Sequence, residues 1–481
     1  MVAIFKSIDK NGKQSLHEQL LSQFVGLIQN GILKPNQKLP SSRKLSEQLG
    51  VHRKTVVKVI DELVLQGWVV TKPAQGTYIS EKIKDYMPKS LNGLKSVSSG
   101  IRRFDIPDFK KNIGQPVLTV EPYHFDDGLP DPRIAPLKEL GNAYNQALNE
   151  RNPYKRLAYV STKGSLRLRK AISGFLNESR GLAIGENQVM ITRGITQAFY
   201  LACKGLLREG DFAAVGALNW QSANSVLLNQ GIQLLKLEVD EHGIVLDKLE
   251  DYCKKYPLKL IYVTPHHHYP TTVIMPAERR MQLLQLSRKY GFIIFEDDYD
   301  YDFHFAGTPL FPMASVNPMA NVLYAGSFTK AISPGIRVGY LVGDENFIEH
   351  ISIARRMVDR QGDEILENAL AALIEDGIIG RCLRKARRTY LARRDFFIHT
   401  LKSDFQNEIQ FQTPEGGMAV WASFDQKINM RELAKKTKMK GLYISDGIQQ
   451  QSNLNATRLG FASSTEEELA IGFEILKSTL K

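Results

Sequence analysis

Tyr324-Ala325-Gly326-Ser327-Phe328-Thr329-Lys330 is the stretch on which the reading of this chain turns. A short apolar run gives way to small and hydroxyl residues and then to a lysine, which places Lys330 at the exit of a β-strand. A lysine on a strand-to-helix loop is ordinarily just solvated, and it acquires meaning only through its companions. Glu296-Asp297-Asp298-Tyr299-Asp300 ends a second apolar strand, so acids stand at the carboxyl edge where open sheets bind ligands. Arg337 follows Lys330 in Pro334-Gly335-Ile336-Arg337-Val338-Gly339. Thr192-Arg193-Gly194-Ile195-Thr196-Gln197 runs from a strand into a helix, whose first N–H groups and positive dipole end suit a phosphate.

Outward from these motifs, short apolar strands alternate with longer helices. Strands are predicted at Gln188–Thr192, Phe212–Val215, Leu258–Val263, Phe292–Glu296, Val322–Tyr324 and Val338–Val342, with helices at Gln197–Leu207 and Ala277–Tyr290. This is the grammar of an open, mostly parallel α/β sheet. A long helical region at Ile348–Leu401 follows, then strands near Met418–Ala422, Leu442–Ser445 and Thr457–Phe461, which suggests a smaller α+β domain.

The first 80 residues read differently. Leu16, Leu20, Phe24, Leu27 and Ile28 recur at helical spacing up to Gly31. Pro40-Ser41-Ser42 opens a short helix through Leu45 and Leu49, Gly50 supplies a turn, and a second helix begins at Arg53-Lys54-Thr55 and carries Val56, Val59, Ile60 and Leu63. Two strands joined through Pro73-Ala74-Gln75-Gly76 make a wing. Arg53, Lys54 and Thr55 at the start of the second helix suit base edges and phosphates, while Arg43, Lys72 and Gly76 are placed for backbone contacts. Charge agrees: of a net +12, residues 1–118 hold 19 Lys and Arg against 9 Asp and Glu, and the rest 44 against 42. A basic end on a near-neutral body fits a polyanion-binding module.

Four segments are therefore expected: a DNA-binding head at 1–80, a basic linker at 81–119, a large domain at 120–345 and a small domain at 346–481. The linker rests on polar stretches such as Lys89–Gly93 and Ser96–Gly100. No apolar run reaches 18 residues, and Cys203, Cys253 and Cys382 are too few and too scattered for a disulfide framework or a zinc site. A cytoplasmic protein without a membrane segment or a metal is expected. His266-His267-His268 does not alter that, because neighbours on an extended segment point to opposite faces.

The stretch from Leu39 to Val56 resembles the winged helix-turn-helix of the GntR superfamily, with His52 in place of the usual small hydroxyl cap. Residues 120–481 are similar to fold-type-I aminotransferases, which use pyridoxal 5′-phosphate. That cofactor needs an amine, a carboxylate for its ring nitrogen, a donor near its phenolate oxygen and a cationic, N–H-rich cup for its phosphate. Lys330, Asp297, Tyr299 and the group of Gly194, Ile195, Thr196, Ser327 and Arg337 supply these in order. The whole chain resembles the MocR/GabR-type regulators. The resemblance implies that Lys330 forms the internal aldimine, Asp297 holds the pyridine nitrogen and Tyr299 meets O3′. It further implies that Trp220 stacks on the ring and that Arg458 binds an effector's α-carboxylate.

Departures from the family are visible too. Ile195 and Thr196 replace a polar pair, Tyr269 stands where aminotransferases often carry Asn, Thr272 occupies a usual Gly, and Ser222 is not basic. The resemblance implies a homodimer on double-stranded operator DNA, with Asp359–Asp363 as a loop lent to the partner. The effector is the cofactor itself, an amine or an amino acid. The alternative, a working aminotransferase with an accessory head, keeps the same Lys330, Asp297, Tyr299 and Arg458. The head decides for regulation, since a transaminase has no use for a winged helix.

Overall fold

The computed structural model describes residues 5, 8–9, 14–86, 120–150, 152, 158–316, 321–330, 332–448 and 454–480. It divides into two units, Met1–Pro107 and Asp108–Lys481. Most of the expected linker, 87–119, lies outside the described residues.

The first unit is a winged helix. Its first helix, Leu16–Gln29, starts at Ser15, whose hydroxyl accepts the Glu18 N–H while Glu18 reaches back to the Ser15 N–H, closing a capping box. Leu20, Phe24 and Ile28 from that helix bury against Val56, Val59 and Leu63 of Arg53–Leu65 and against Val69 and Ile79 of the wing. Ser42–Leu49 is capped by Ser41 and closed by Gly50 at φ 61, a left-handed turn that glycine adopts without steric cost. The wing strands Val69–Lys72 and Gly76–Ile79 pair antiparallel, Val69 opposite Ile79.

The second unit is built on a seven-stranded sheet. Its order is Val189–Thr192, Gly339–Val342, Val322–Ser327, Ile293–Asp297, Leu258–Val263, Phe212–Gly216 and Gln233–Leu237. Only Gly339–Val342 runs against its neighbours. Phe199 and Leu201 of the Ile195–Leu206 helix cover one face, and Leu283 and Leu284 of Ala277–Tyr290 belong to the cluster on the other. A three-stranded sheet, Ile409–Phe411, Ala419–Phe424 and Ala456–Gly460, stands apart. Leu442–Ile444 pairs parallel with Tyr123–Phe125, so the start of this unit folds onto elements near its end.

The expected long helix at 348–401 is three helices, Glu345–Val358, Glu364–Glu375 and Ile378–Asp404. Arg360 at φ 63 and Gly377 at φ 67 interrupt it, since left-handed backbone cannot continue a right-handed helix. Five short strands escaped the sequence reading: Tyr123–Phe125, Gln233–Leu237, Val239–Asp240, Gly243–Ile244 and Ile409–Phe411. Each lies at the edge of its sheet, where burial imposes little alternation. Among the described residues, no helix is long and apolar enough to cross a membrane.

Candidate functional site

The carboxyl ends of the parallel strands converge on one cavity of about 200 Å³. Ile195 and Thr196 reach it just after Val189–Thr192, Trp220 after Phe212–Gly216, Asp297 and Tyr299 at and after Ile293–Asp297, and Ser327 and Lys330 at the end of Val322–Ser327. Arg337 and Arg458 complete the wall. All the cofactor and effector residues expected from sequence thus line one space, except Gly194, which lies directly behind it as the N-cap of Ile195–Leu206.

Asp297 forms the polar floor. It is buried, the Tyr262 hydroxyl donates to its Oδ2, and its Oδ1 has no hydrogen-bond partner. Burial, reinforced by Asp298 and Asp300 and opposed by the Tyr262 hydrogen bond, pushes its carboxyl up to about 8. Lys330 donates through Nζ to the Gly128 carbonyl, and burial holds its ammonium below the usual lysine range. A lysine so placed is a better nucleophile than an exposed one. Tyr299 donates from its hydroxyl to the His267 carbonyl at 3.0 Å.

The opposite end is an anion cup. No side chain caps Ile195–Leu206, so its first N–H groups and dipole face the cavity. Arg337 sits in left-handed backbone, φ 53 and ψ 44, and its Nη2 donates to the Arg193 carbonyl at 2.7 Å. A Cβ at Gly194, itself at φ 84, would stand 3.0 Å from that nitrogen, so the glycine makes room for the guanidinium. Strain of this kind at a non-glycine residue collects where a side chain must be aimed. Ser327 and Thr329 hydroxyls bond each other at 2.7 Å beside the cup.

Sequence reasoning missed Asp127, Tyr262, Thr264 and Thr329 in the same lining. Tyr262 sits in a continuous apolar strand, where nothing local marks it as polar chemistry. Thr329 was in view beside Lys330. Asp127 comes from the turn before Gly128, about 200 residues from Lys330, and only the tertiary fold joins them.

The three histidines separate as expected of neighbours on a strand end. His266 pairs through Nδ1 with Asp298 at 3.2 Å, His267 with Asp300 at 2.7 Å, and His268 contacts the Leu218 carbonyl at 3.1 Å. Burial pushes His268 down to about 4. Arg387-Arg388 and Arg393-Arg394, whose helical spacing suits a solvated or partner-facing surface, divide: Arg387 and Arg388 are exposed as that spacing suggests, and Arg393 is not. Arg393 is buried in an ion pair with Asp131 at 2.9 Å, and Arg387 donates to the His304 carbonyl at 2.6 Å.

In the head, Arg43, Arg53, Lys54, Lys72 and Gly76 are exposed and Thr55 is half-buried. His52 does cap the second helix of the motif: its Nδ1 accepts the Lys54 N–H at 3.2 Å, the role a hydroxyl usually fills. Lys38 was not anticipated. It lies across from Tyr78, and the Nζ atoms of Lys72 and Lys38 stand 5.0 Å and 5.8 Å from the Tyr78 ring centre. At φ 109, Gly76 leaves space that a Cβ would fill 3.1 Å from the Lys38 stem.

Comparison with known proteins follows this division. Residues 16–79 match the gntR family of bacterial regulatory proteins, and residues 131–476 match the class I and II aminotransferases. The chain is 30% identical over 407 residues to PdxR of Corynebacterium glutamicum, an HTH-type pyridoxine biosynthesis transcriptional regulator, covering 84% of this chain and 82% of the relative. It is 27% identical over 446 residues to MocR of Rhizobium meliloti, a probable rhizopine catabolism regulatory protein, covering 91% and 87% respectively. Pyrococcus horikoshii kynurenine aminotransferase, solved with PMP, superposes with a TM-score of 0.71 at 25% identity over 80% of this chain and 98% of its own. The expected architecture, a winged helix-turn-helix followed by fold-type-I large and small domains, is borne out.

Proposed function

Since the chain belongs to the MocR-type regulators, a gntR-family head joined to a class I and II aminotransferase body, we propose that it binds pyridoxal 5′-phosphate around Lys330 and reports the state of that site to operator DNA. The observation that carries this reading is Asp297 Oδ1, a buried acceptor without a partner on the floor of the cavity that also holds Lys330. Buried polar atoms are nearly always satisfied, so an orphan facing a cavity fits a missing donor such as a protonated ring nitrogen.

The other residues fit the group as well. Ile195 and Thr196 offer backbone N–H groups to a phosphate, Gly194 admits Arg337 beside them, and Ser327 adds a hydroxyl. Trp220 gives an aromatic wall and Tyr299 a phenol. When bound, the cofactor supplies an electrophilic carbonyl carbon that amines attack. Lys330 holds the amine that meets it, and Asp297 holds the proton on the ring nitrogen. Arg458 faces the ligand end. That Lys330, Asp297, Tyr299 and Arg458 share one cavity leaves half-transamination chemically available, but the head makes regulation the main role.

On this reading residues 1–80 bind double-stranded operator DNA in the cytoplasm, 81–119 link, and 120–345 and 346–481 close the ligand site. The name of the pyridoxine-biosynthesis relative supports the cofactor itself as one ligand, beside amines and amino acids. Two copies pair, which raises the effective concentration of the second head at a two-fold operator. Exposed Ile353 and Met357, one helical turn apart, favour such pairing, while Asp359 to Gln361 of the loop expected to reach the partner also bond within their own chain. Borohydride reduction of the cofactor-loaded protein, followed by peptide mass mapping, tests the site. The adduct is expected on Lys330; an adduct on another lysine refutes the assignment.

A further inference from the structure

We propose that Asp127 sets the ligand class of this cavity: by occupying the guanidinium of Arg458 it selects amines without an α-carboxylate over α-amino acids. The inference rests on the cofactor site proposed above.

Arg458 is 1% exposed, and an acid already stands beside its guanidinium. Its Nε lies 2.9 Å from Asp127 Oδ1, and its Nη1 donates to the Pro270 carbonyl at 3.3 Å. Tyr269 covers one face of the guanidinium, with 4.9 Å between Cζ and the ring centre. The third nitrogen, Nη2, packs at Gly128, where even a Cβ would come within 3.1 Å. An arginine recognises a carboxylate best through two parallel N–H bonds. Here the Nε edge lies against an anion without an aligned hydrogen bond to it, so an incoming α-carboxylate meets a like charge at the edge it would use.

Asp127 is held where it is. The Tyr269 hydroxyl donates to its Oδ2 at 3.1 Å. The turn that carries it is pinned by Asp126, whose Oδ1 accepts the Gly128 and Leu129 N–H groups at 2.8 Å each and whose Oδ2 accepts the Ser463 hydroxyl at 2.6 Å. Gly128, the next residue, accepts Lys330 Nζ through its carbonyl, so the carboxylate lies one residue from the reactive amine. Half of the Asp127 side chain remains exposed, available to an ammonium approaching Lys330. Asp127 is thus a specificity-determining residue, attracting the ammonium and repelling the carboxylate.

The test uses the cofactor-loaded full chain and two ligands matched in size, isopropylamine and L-alanine. Each is titrated against the cofactor absorption and the thermal midpoint, in the wild type, in Asp127→Asn, which keeps a partner for Tyr269 while removing the charge, and in Asp127→Ser. The wild type is expected to bind isopropylamine at least tenfold more tightly than L-alanine, and that ratio is expected to fall at least tenfold in both variants. Equal binding of the two ligands by the wild type overturns the proposal, as does a ratio that falls less than tenfold, or a failure of either ligand to register in the variants. A wild type that shows no cofactor absorption at all refutes the cofactor reading instead, so the two failures are distinct.

Discussion

Replacing Asp297 by Asn should stabilise the cofactor-free protein and weaken the cofactor-loaded one, and the two effects have separate magnitudes. The folded carboxyl titrates at about 8, above its ordinary 3.8. Between these values the folded state keeps a proton that the unfolded chain gives up, so the stability present below pH 4 is lost as pH rises to about 8. Each pH unit in that window costs about 1.4 kcal/mol, roughly 4 kcal/mol between pH 5 and pH 8 as an upper value. Asn carries no such proton and escapes the loss. Scanning calorimetry of the second unit's transition, without cofactor, should therefore show the wild type falling behind Asp297→Asn by several degrees across that interval. With the cofactor bound the sign reverses. A neutral amide cannot oppose a ring cation, and loss of a charge-assisted hydrogen bond of about 1.5–3 kcal/mol should weaken cofactor binding by roughly 10- to 100-fold. Parallel stability curves from pH 5 to pH 8 would refute the claim that Asp297 is buried without a full set of partners. Unchanged cofactor affinity would refute its role beneath the ring.

Two further outcomes are expected. Arg53→Ala should cost specific operator binding about 1–3 kcal/mol if Arg53 reads a base edge, whereas Arg43→Ala and Lys72→Ala should each lower the slope of log affinity against log salt by about one, as phosphate contacts do. A footprint unaltered by all three changes would contradict this docking. Thr272 is buried at φ 64, a conformation that burdens a β-branched residue. Thr272→Gly should raise stability by about 1 kcal/mol in thermal denaturation; a loss would mean that the packed side chain outweighs the backbone strain.

How far the sequence could be read depended on range. The head was legible because every signal in it is local: Ser41 caps, Gly50 turns, and Val56, Val59 and Leu63 bury at helical spacing. The Ala277–Tyr290 helix and the Leu258–Val263 strand were placed to the residue for the same reason. The cofactor residues were legible because most lie at or within a few residues of a strand end, and in an open sheet such ends share one edge. What escaped depends on contacts across the chain. Asp127 reaches Arg458, 331 positions away, and nothing near Asp127 announces that ion pair. Arg393 looked like surface until Asp131 gave it a buried partner. His52 looked like a departure from the cap, yet its Nδ1 does the same work as a hydroxyl.

The central claim is that the state of the Lys330 site governs the hold of the head on DNA. The most direct test selects an operator from random duplexes with the cofactor-loaded chain, then measures Kd at fixed salt with and without isopropylamine, for the wild type and for Lys330→Ala. Allosteric coupling of ordinary size predicts a change of roughly 5- to 150-fold in the wild type. The variant should show none while still binding DNA. A wild-type Kd that stays constant while the amine visibly alters the cofactor absorption would contradict the account, because the site would then be occupied and the head indifferent to it.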